Sequence, residues 1–345
     1  MIKKINLIIV LGMLISSNLF GQQDPHFSQF FASPLTLNPA NAGIFNGDLR
    51  AVMNYRSQWG GVSKAYSTSA ASLDMPILKK LSGGMFGLGL NFFKDAAGDS
   101  KLSTTNFALS LAYHLDISGG SNNHFISLGF QGGVIQRSIS YDNLTWDNQW
   151  NGYGFDRQTE VLNIDDLGGT SAGGLDLSTG LHWYYAPSEG TRFHGGLSMF
   201  HANRADVGFN AESKLMIKYT LHGGGEIGMG NGEMAITPNF VTVHQGANKY
   251  TDIGAEFKYF LKENSKFTNY SNVMYISFGP YLRWGDATYI VARYSWAGMI
   301  ASVSYDFNIS DLSNASGGTG GFEVMLGYKM DLGSSATRGH SVKFQ

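Results

Sequence analysis

Apolar and polar residues alternate along most of this chain, and this two-residue period constrains the fold more than any other feature of the sequence. Within residues 106–116 the odd positions read Phe, Leu, Leu, Tyr, Leu, and the even positions read Asn, Ala, Ser, Ala, His, Asp. The pattern returns at 175–185, 215–226 and 322–331. Successive side chains of a β-strand point to opposite faces of the sheet. The chain is therefore predicted to be all-β, with one apolar face on each strand.

Turn-forming residues separate these segments, with Gly, Asp, Asn, Ser and Pro clustered at 95–100, 119–123, 187–191, 230–232 and 285–286. They predict about fourteen strands, most near the roughly 9–11 residues of a tilted membrane strand. We place the strands at residues 48–59, 64–74, 84–94, 102–116, 124–137, 173–186, 192–202, 214–228, 233–243, 249–262, 273–284, 287–296, 299–308 and 320–332. Pro238 falls inside the ninth strand and predicts a bulge or a strand end there.

The composition indicates where such strands would lie. Charged residues make up only 14% of the chain, against about 25% in ordinary soluble proteins. Glycine is abundant, with 45 residues, and the mean hydropathy is near neutral at −0.11. An antiparallel up-and-down β-barrel in an outer membrane fits these values, because its lipid-facing and lumen-facing residues alternate. A β-sandwich is the alternative, but it needs less glycine and more surface charge.

The N-terminus has the features of a secretory signal peptide. Lys3 and Lys4 precede an apolar run over residues 5–15, and small or polar residues follow as far as Gly21. The run is about half the roughly 20 residues that a spanning helix needs. We predict a signal peptide at 1–21, a short N-terminal periplasmic segment without strands at 22–46, and an outer-membrane barrel at 47–345.

The polar residues show no pattern of a catalytic, cofactor or metal site. The chain lacks cysteine, and its nine histidines lack the spacing of a metal motif. His114, His182 and His222 each fall singly on a predicted lumen face. Carboxylates and cations share another lumen face, which is the usual filling of a barrel interior: Asp252, Glu256, Lys258, Arg283 and Arg293. We therefore predict no enzyme and no cofactor, and the net charge of −2 gives no reason to expect nucleic acid as a partner.

One predicted loop is much longer than the others, at about residues 139–172. It carries the aromatic residues Trp146, Trp150, Tyr153 and Phe155 among several aspartates. Long loops in compact folds tend to be functional or disordered. The loop follows an odd-numbered strand, which predicts an extracellular position and a protein-binding surface. Calcium binding by the aspartates is the alternative, although no EF-hand spacing is present.

Short motifs near both ends of the chain resemble the PorP/SprF family of type IX secretion outer-membrane proteins. The N-terminal motifs read DPHFSQ, NPANAG and YRSQW, and the C-terminal ones read SYDFNIS and GGFEVML. The residues that carry the resemblance, and that we take as candidates for partner contact, are Asp24, Pro25, Phe27, Ser28, Gln29, Asn38, Pro39, Gly43, Tyr55, Arg56, Gln58, Trp59, Tyr305, Asp306, Phe322 and Glu323.

The resemblance implies an outer-membrane barrel that works beside the type IX secretion machinery. It further implies a large secreted partner with a C-terminal secretion domain, often a gliding adhesin. The residues leave two questions open. The segment 22–46 is either a plug or partner contact, or a structural cap for the barrel end. The barrel is either a secretion and attachment component or a diffusion porin, since fourteen strands leave a lumen that passes small solutes unless plugged.

Overall fold

A computed structural model describes the chain as one closed barrel of fourteen antiparallel strands. The described residues are 24–58, 60, 65–81, 83–98, 100–119, 123–141, 144–156, 169–209, 212–230, 232–262, 273–311 and 313–330. The predicted signal peptide and Trp59 lie outside them. Each strand pairs with its neighbour in sequence, and the first strand closes the ring against the last. Closure in a single ring confirms the predicted barrel and excludes the sandwich.

Most strand bounds lie within a few residues of the prediction. The strands are β1 Leu49–Gln58, β2 Tyr66–Leu81, β3 Gly84–Ala97, β4 Leu102–Asp116, β5 His124–Ser138, β6 Ser171–Ser188, β7 Thr191–Phe200, β8 Lys218–Met229, β9 Met234–Gln245, β10 Asn248–Lys262, β11 Met274–Arg283, β12 Ala287–Trp296, β13 Met299–Asn308 and β14 Thr319–Met330.

Strand β2 extends well past the predicted end at residue 74. Pro76 lies beyond that predicted end and pairs with Gly87 on β3. On the other side of β2, the ladder with β1 already stops at the pair of Asp74 with Arg50. Because β1 is not paired with β2 beyond Asp74, the missing N–H of Pro76 interrupts no hydrogen bond with β1.

Two predictions in the region of β8 and β9 were wrong. Strand β8 begins at Lys218 rather than at residue 214, because Leu215 turns inward and packs with Ile135 and Val207 in a buried apolar cluster. The alternation of apolar residues in β8 therefore extends into the connection that precedes the strand. Strand β9 runs through Pro238 with neither an end nor a register shift against β8 or β10.

The two faces of the barrel differ sharply in chemistry. Along β4, Phe107, Leu109 and Leu111 are exposed on the outer face, while the alternate Ala108, Ser110 and Ala112 are buried. The other strands follow the same rule. Their outer face carries Leu175, Leu177, Leu181, Leu197, Leu221, Ile253, Phe257, Phe278, Val303, Leu326 and Tyr328, among others. A continuous apolar outer surface of this kind is what a lipid environment requires.

The connections differ between the two ends of the barrel. One end, called the long-loop end below, carries 59–65, 98–101, 139–170, 201–217, 246–247, 284–286 and 309–318. The opposite end carries 82–83, 117–123, 189–190, 230–233, 263–273 and 297–298, and β1 begins and β14 ends there. Among the described residues, no helix is long and apolar enough to cross a membrane.

Residues 24–48, called the lumen segment below, run through the barrel interior. Three short helical turns shape it, at Phe30–Ala32, Pro34–Leu37 and Pro39–Asn41. Pro34 and Pro39 are the first residues of their turns, a position where the missing N–H is not needed. Two further short turns lie in connections of the long-loop end, at Asp147–Gln149 and Ser313–Ser316.

Candidate functional site

The first part of the lumen segment is fixed to the strands where the barrel closes. The backbone N–H groups of Ser28 and Gln29 donate to the Glu323 carboxylate, at 2.8 and 3.1 Å. The Ser28 hydroxyl donates to the Asp306 carboxylate at 2.8 Å. Glu323 lies on β14, and its register partner on β1 is Arg56. The segment is therefore hydrogen-bonded across the junction of the first and last strands.

Two buried arginines hold these carboxylates in place. Arg56 contacts Asp306 at 2.8 Å and Glu323 at 3.2 Å. Arg283 on β11 contacts Asp306 at 3.2 Å and Asp252 on β10 at 3.1 Å. These five side chains form the charge cluster, and each is at most 2% exposed. Burial makes charges expensive unless they are paired and hydrogen-bonded, and here every member has an opposite partner.

The middle of the lumen segment rests on a band of small side chains. On neighbouring strands, Gly87, Ala112, Gly129, Gly180 and Ser198 are register partners that face the lumen. A Cβ atom on Gly129 would lie 2.3 Å from the backbone nitrogen of Ala40, and one on Gly180 would lie 2.0 Å from Oδ1 of Asn38. The close approach of residues 38–42 to the wall therefore requires glycine at these positions.

Asn38 occupies this band through several hydrogen bonds. Its side-chain amide donates to the carbonyls of Leu181 and Leu197, at 2.8 and 3.3 Å, and its Oδ1 accepts from the N–H of Ala40 at 2.9 Å. The same amide nitrogen lies 3.1 Å from Nε2 of His222. Asn38 thus holds the turn at Pro39 in shape and ties it to β6, β7 and β8.

The lumen histidines are grouped rather than single, which corrects the prediction. The rings of His182 and His222 stack with centroids 5.8 Å apart, and His194, which the sequence did not single out, lies 6.0 and 6.4 Å from them. His114 lies apart and bonds the Ala42 carbonyl at 2.8 Å. Among the described residues, no group of three His, Asp or Glu side chains has the geometry to hold a metal ion.

The beginning of the lumen segment is held at the long-loop end. The Asp24 carboxylate contacts Lys218 at 2.7 Å and Nε2 of His201 at 2.9 Å. His201 also bonds Asp176 through Nδ1 at 2.8 Å. Burial by itself lowers the pKa of His201, but Asp24 and Asp176 outweigh it and raise the pKa to about 9. Burial raises the pKa of Asp24, but His201 and Lys218 outweigh that and hold it below its usual range.

The last part of the lumen segment is fixed near the opposite end. The N–H of Gly43 donates to Asp74 at 2.7 Å, and Asp74 also accepts from Arg50 at 2.7 Å. Gly43 has a φ of +75°, and a Cβ there would lie 2.7 Å from the Cα of Gly87. A side chain at Gly43 is therefore excluded both by its backbone conformation and by the wall.

The structure divides the family-motif residues between two faces. Ser28, Gln29, Asn38, Pro39, Phe27, Arg56, Asp306 and Glu323 are buried inside the barrel. Tyr55, Tyr305 and Phe322 are exposed on its outer face, where Tyr305 and Phe322 are register partners on β13 and β14. Gln58 faces the lumen and is half-buried. Each strand motif thus contributes an aromatic ring outward and a polar side chain to the interior.

The long loop carries its aromatic residues outside the barrel. Tyr153 is 99% exposed, while Trp150 and Phe155 are about half exposed and their rings pack 5.1 Å apart. A β-bridge between Trp150 and Phe155 closes the turn that presents Tyr153. Trp146 is half-buried against Tyr141. Among the aspartates of this loop, Asp142, Asp165 and Asp166 lie outside the described residues.

Comparison with known protein families decides what kind of barrel this is. The model of the type IX secretion system membrane protein PorP/SprF family matches residues 19–328. The chain belongs to this family. It is accordingly an outer-membrane barrel of the type IX secretion system, and PorP/SprF membership implies association with the secretion machinery.

Solved structures resemble this PorP/SprF protein only distantly. The Ralstonia pickettii toluene transporter TbuX matches at 9% identity and a TM-score of 0.49, over 86% of this chain and 92% of that one. BamA from Haemophilus ducreyi lacking POTRA domains 1–3 matches at 8% identity and a TM-score of 0.41, over 82% and 70%. These likenesses carry no conclusion about what the protein binds. No curated protein matches the chain.

Several contacts of this site have no signature in the sequence. The pairing of Asp24 with His201 and Lys218 joins residues that belong to no common motif. The band of small residues at Gly129 and Gly180 could be found only with the strand register, because glycine is abundant throughout the chain.

Proposed function

We propose that this PorP/SprF protein is a plugged barrel that supports the secretion and surface attachment of a large partner carrying a C-terminal secretion domain, such as a gliding adhesin. In this proposal it neither conducts solutes nor catalyses a reaction. The long-loop end faces the cell exterior and presents the surface for the partner.

The observation that carries the proposal is the occupied lumen. The lumen segment is bonded to the wall at Asp24, Ser28, Asn38 and Gly43, which follow one another from the long-loop end to the opposite end. An interior filled in this way supports a role at the barrel's surface rather than through its lumen. Buried carboxylates of the wall, at Asp74, Asp306 and Glu323, accept hydrogen bonds from the segment, which supports a structural role for the interior.

The exposed aromatics of the long loop support the partner role. Trp150, Tyr153 and Phe155 present apolar rings to solvent at the end of a loop that strand closure does not need. Exposed aromatic anchors often dominate the energetics of protein interfaces. Longer connections on this end agree with an extracellular position, since outer-membrane barrels carry their longer loops outside.

The loop can be tested separately from the barrel. Replacing residues 143–168 with a short Gly/Ser hairpin is expected to leave insertion and folding intact, because β5 ends at Ser138 and β6 begins at Ser171, so no strand is shortened. The partner is then expected to leave the cell surface or to appear in the medium. Trp146→Ala with Trp150→Ala should give a weaker loss, whereas Thr145→Ala with Asp147→Ala in the same turn should give none. Normal display of the partner after loop replacement would rule out docking there.

The diffusion porin is the alternative, and conductance separates the two. A plugged barrel is expected to show little steady conductance as purified protein in planar bilayers. A large, stable conductance in the unmodified protein would favour the porin instead.

A further inference from the structure

The lumen carries an excess of positive charge toward the end where β1 begins and β14 ends. Four cations, called the lumen cations below, face the interior there: Arg50, Arg192, Lys258 and Lys329. Two carboxylates are paired with them. Asp74 accepts from Arg50 at 2.7 Å, and Glu226 is shared by Arg192 at 2.8 Å and Lys258 at 2.7 Å. These six side chains therefore carry two more positive charges than negative ones.

Lys329 is the lumen cation without a carboxylate of its own. Its register partner on β1 is Arg50, so two cations lie directly opposite each other on neighbouring strands. Like charges in this position destabilise a sheet. Arg192 and Lys258 are also close enough to repel Lys329, while Glu226, which attracts it, is already engaged by those two cations. Among the described residues, no carboxylate forms an ion pair with Lys329.

The lumen cations converge from different sides of the ring. Lys329 and Arg50 lie where β14 meets β1, whereas Arg192 lies on β7, seven strands from β14 in the ring of fourteen. Their charges nevertheless act on one another, which places them around a common space in the interior. Bilayer lipid contacts the outer face of the wall instead. A ligand of these cations is therefore an ion that reaches the lumen through water.

A buried nitrogen without a partner lies beside the same space. Nδ1 of His182 has no hydrogen-bond partner among the described residues, although His182 is only 5% exposed. Arg50 is close enough to act on this imidazole as well as on Lys329. A neutral imidazole carries its hydrogen on either nitrogen, so Nδ1 can donate to an acceptor. An anion bound near Arg50 would supply that acceptor and would relieve the repulsion at Lys329.

We propose that the lumen cations form a binding site for a doubly charged oxyanion, of which inorganic phosphate is the simplest. A phosphate group carries about −1.5 to −2 charges at neutral pH, which matches the excess of two positive charges. Arginine and lysine are the side chains that commonly bind phosphate in proteins. Arg50 also donates to the carbonyl of Asn41 at 3.1 Å, so the bound anion lies beside the lumen segment and helps to hold it in place.

Thermal unfolding of the purified full chain in detergent tests the site. Sodium phosphate is titrated at neutral pH against sodium chloride of the same ionic strength. The midpoint of the unmodified protein is expected to rise with phosphate and to saturate, because a ligand that binds only the folded state stabilises it. Lys329→Gln should weaken the apparent affinity for phosphate about tenfold or more, since a hydrogen bond to a charged group is lost.

The same variant should behave differently in chloride alone. Lys329→Gln is expected to have a higher midpoint there than the unmodified protein, because the repulsion from Arg50, Arg192 and Lys258 is removed. Lys249→Gln is the matched control, since Lys249 is exposed near the long-loop end of β10. It should keep the phosphate response of the unmodified protein.

Phosphate also stabilises proteins in general, because it is excluded from their surfaces. An equal rise of the midpoint in all three proteins would be this general effect and would overturn the proposal. A lower midpoint of Lys329→Gln in chloride would show that Lys329 already has a stabilising partner, and would overturn it as well. If Lys329→Gln does not fold, calorimetric titration of phosphate into the unmodified protein decides: a single saturable site is expected, and the absence of saturable heat rejects the site.

Discussion

Glu323 accepts hydrogen bonds from the backbone of Ser28 at 2.8 Å, although 295 residues separate them in the chain. Arg56, on the neighbouring strand β1, contacts the same carboxylate at 3.2 Å. The contact therefore joins the N-terminal motif, the first strand and the last strand in one cluster. Filling of the lumen and closure of the barrel depend on the same buried groups.

Removing the Arg56 guanidinium is expected to destabilise the barrel strongly. Arg56→Met leaves Glu323 buried without its cation and weakens the pairing of Asp306, and breaking a buried pair in this way costs about 3–5 kcal/mol. The free energy of unfolding in detergent, measured by denaturant titration, tests this. Lys214→Met removes an ion pair with Glu212 that is exposed to solvent, and should cost no more than about 1 kcal/mol. Equal costs would contradict the role of the cluster.

Adding one methyl group to the band of small side chains is expected to loosen the contact between the lumen segment and the barrel wall. Gly129→Ala places a Cβ against the backbone of Ala40, and overpacking of this kind costs about 1–3 kcal/mol. The variant should show more frequent opening events in planar bilayers than the unmodified protein. Gly132→Ala on the same strand meets only Leu177, at 3.5 Å, and should behave like the unmodified protein. Closed behaviour of both variants would show that the segment does not rest tightly on Gly129.

Two adjacent residues of β14 lie on opposite faces of the barrel wall, so we expect them to tolerate polar substitution differently. Leu326 is exposed on the outer face, and Leu326→Arg should cost about 2–4 kcal/mol if this residue lies at the bilayer midplane. Gly327 faces the lumen, where the nearest atom to an added Cβ is the Met325 sulfur at 3.5 Å, so Gly327→Ser should be mild. Folding into lipid vesicles, followed by heat-modifiable migration on gels, measures both. Similar tolerance at the two positions would reject this facing.

The ion pairs of His201 with Asp24 and Asp176 predict a loss of stability at alkaline pH. Its pKa is raised from 6.5 to about 9 in the folded protein. The contribution of the charged imidazole is therefore complete below about pH 6.5, declines above it, and is lost once the pH passes about 9. The thermal midpoint of the unmodified protein should fall over this range by more than that of His201→Gln, which cannot become charged. Parallel pH curves for the two proteins would show that the charge of His201 does not stabilise the fold.

The alternation of residues was enough to predict the barrel, because strand facing is a local property. Within 106–116, each side chain's face follows from its position alone, and the structure places Leu109 and Leu111 outside and Ser110 inside, as predicted. The start of β8 was predicted wrongly because a distant contact overrides the period there. Leu215 continues the alternation of β8, yet it turns inward because Ile135 and Val207 offer it a buried position.

What the lumen contains was decided only by the tertiary structure. The motifs around Ser28, Arg56, Asp306 and Glu323 are visible in the sequence, but their meeting in one cluster depends on the register of a closed ring. The direction of the lumen segment depends likewise on Asp24 reaching His201, a residue 177 positions away. A two-residue period determines which face of the sheet each side chain lies on. It determines neither the register between strands nor the path of the lumen segment. Those follow from hydrogen bonds and packing between strands that ring closure brings together.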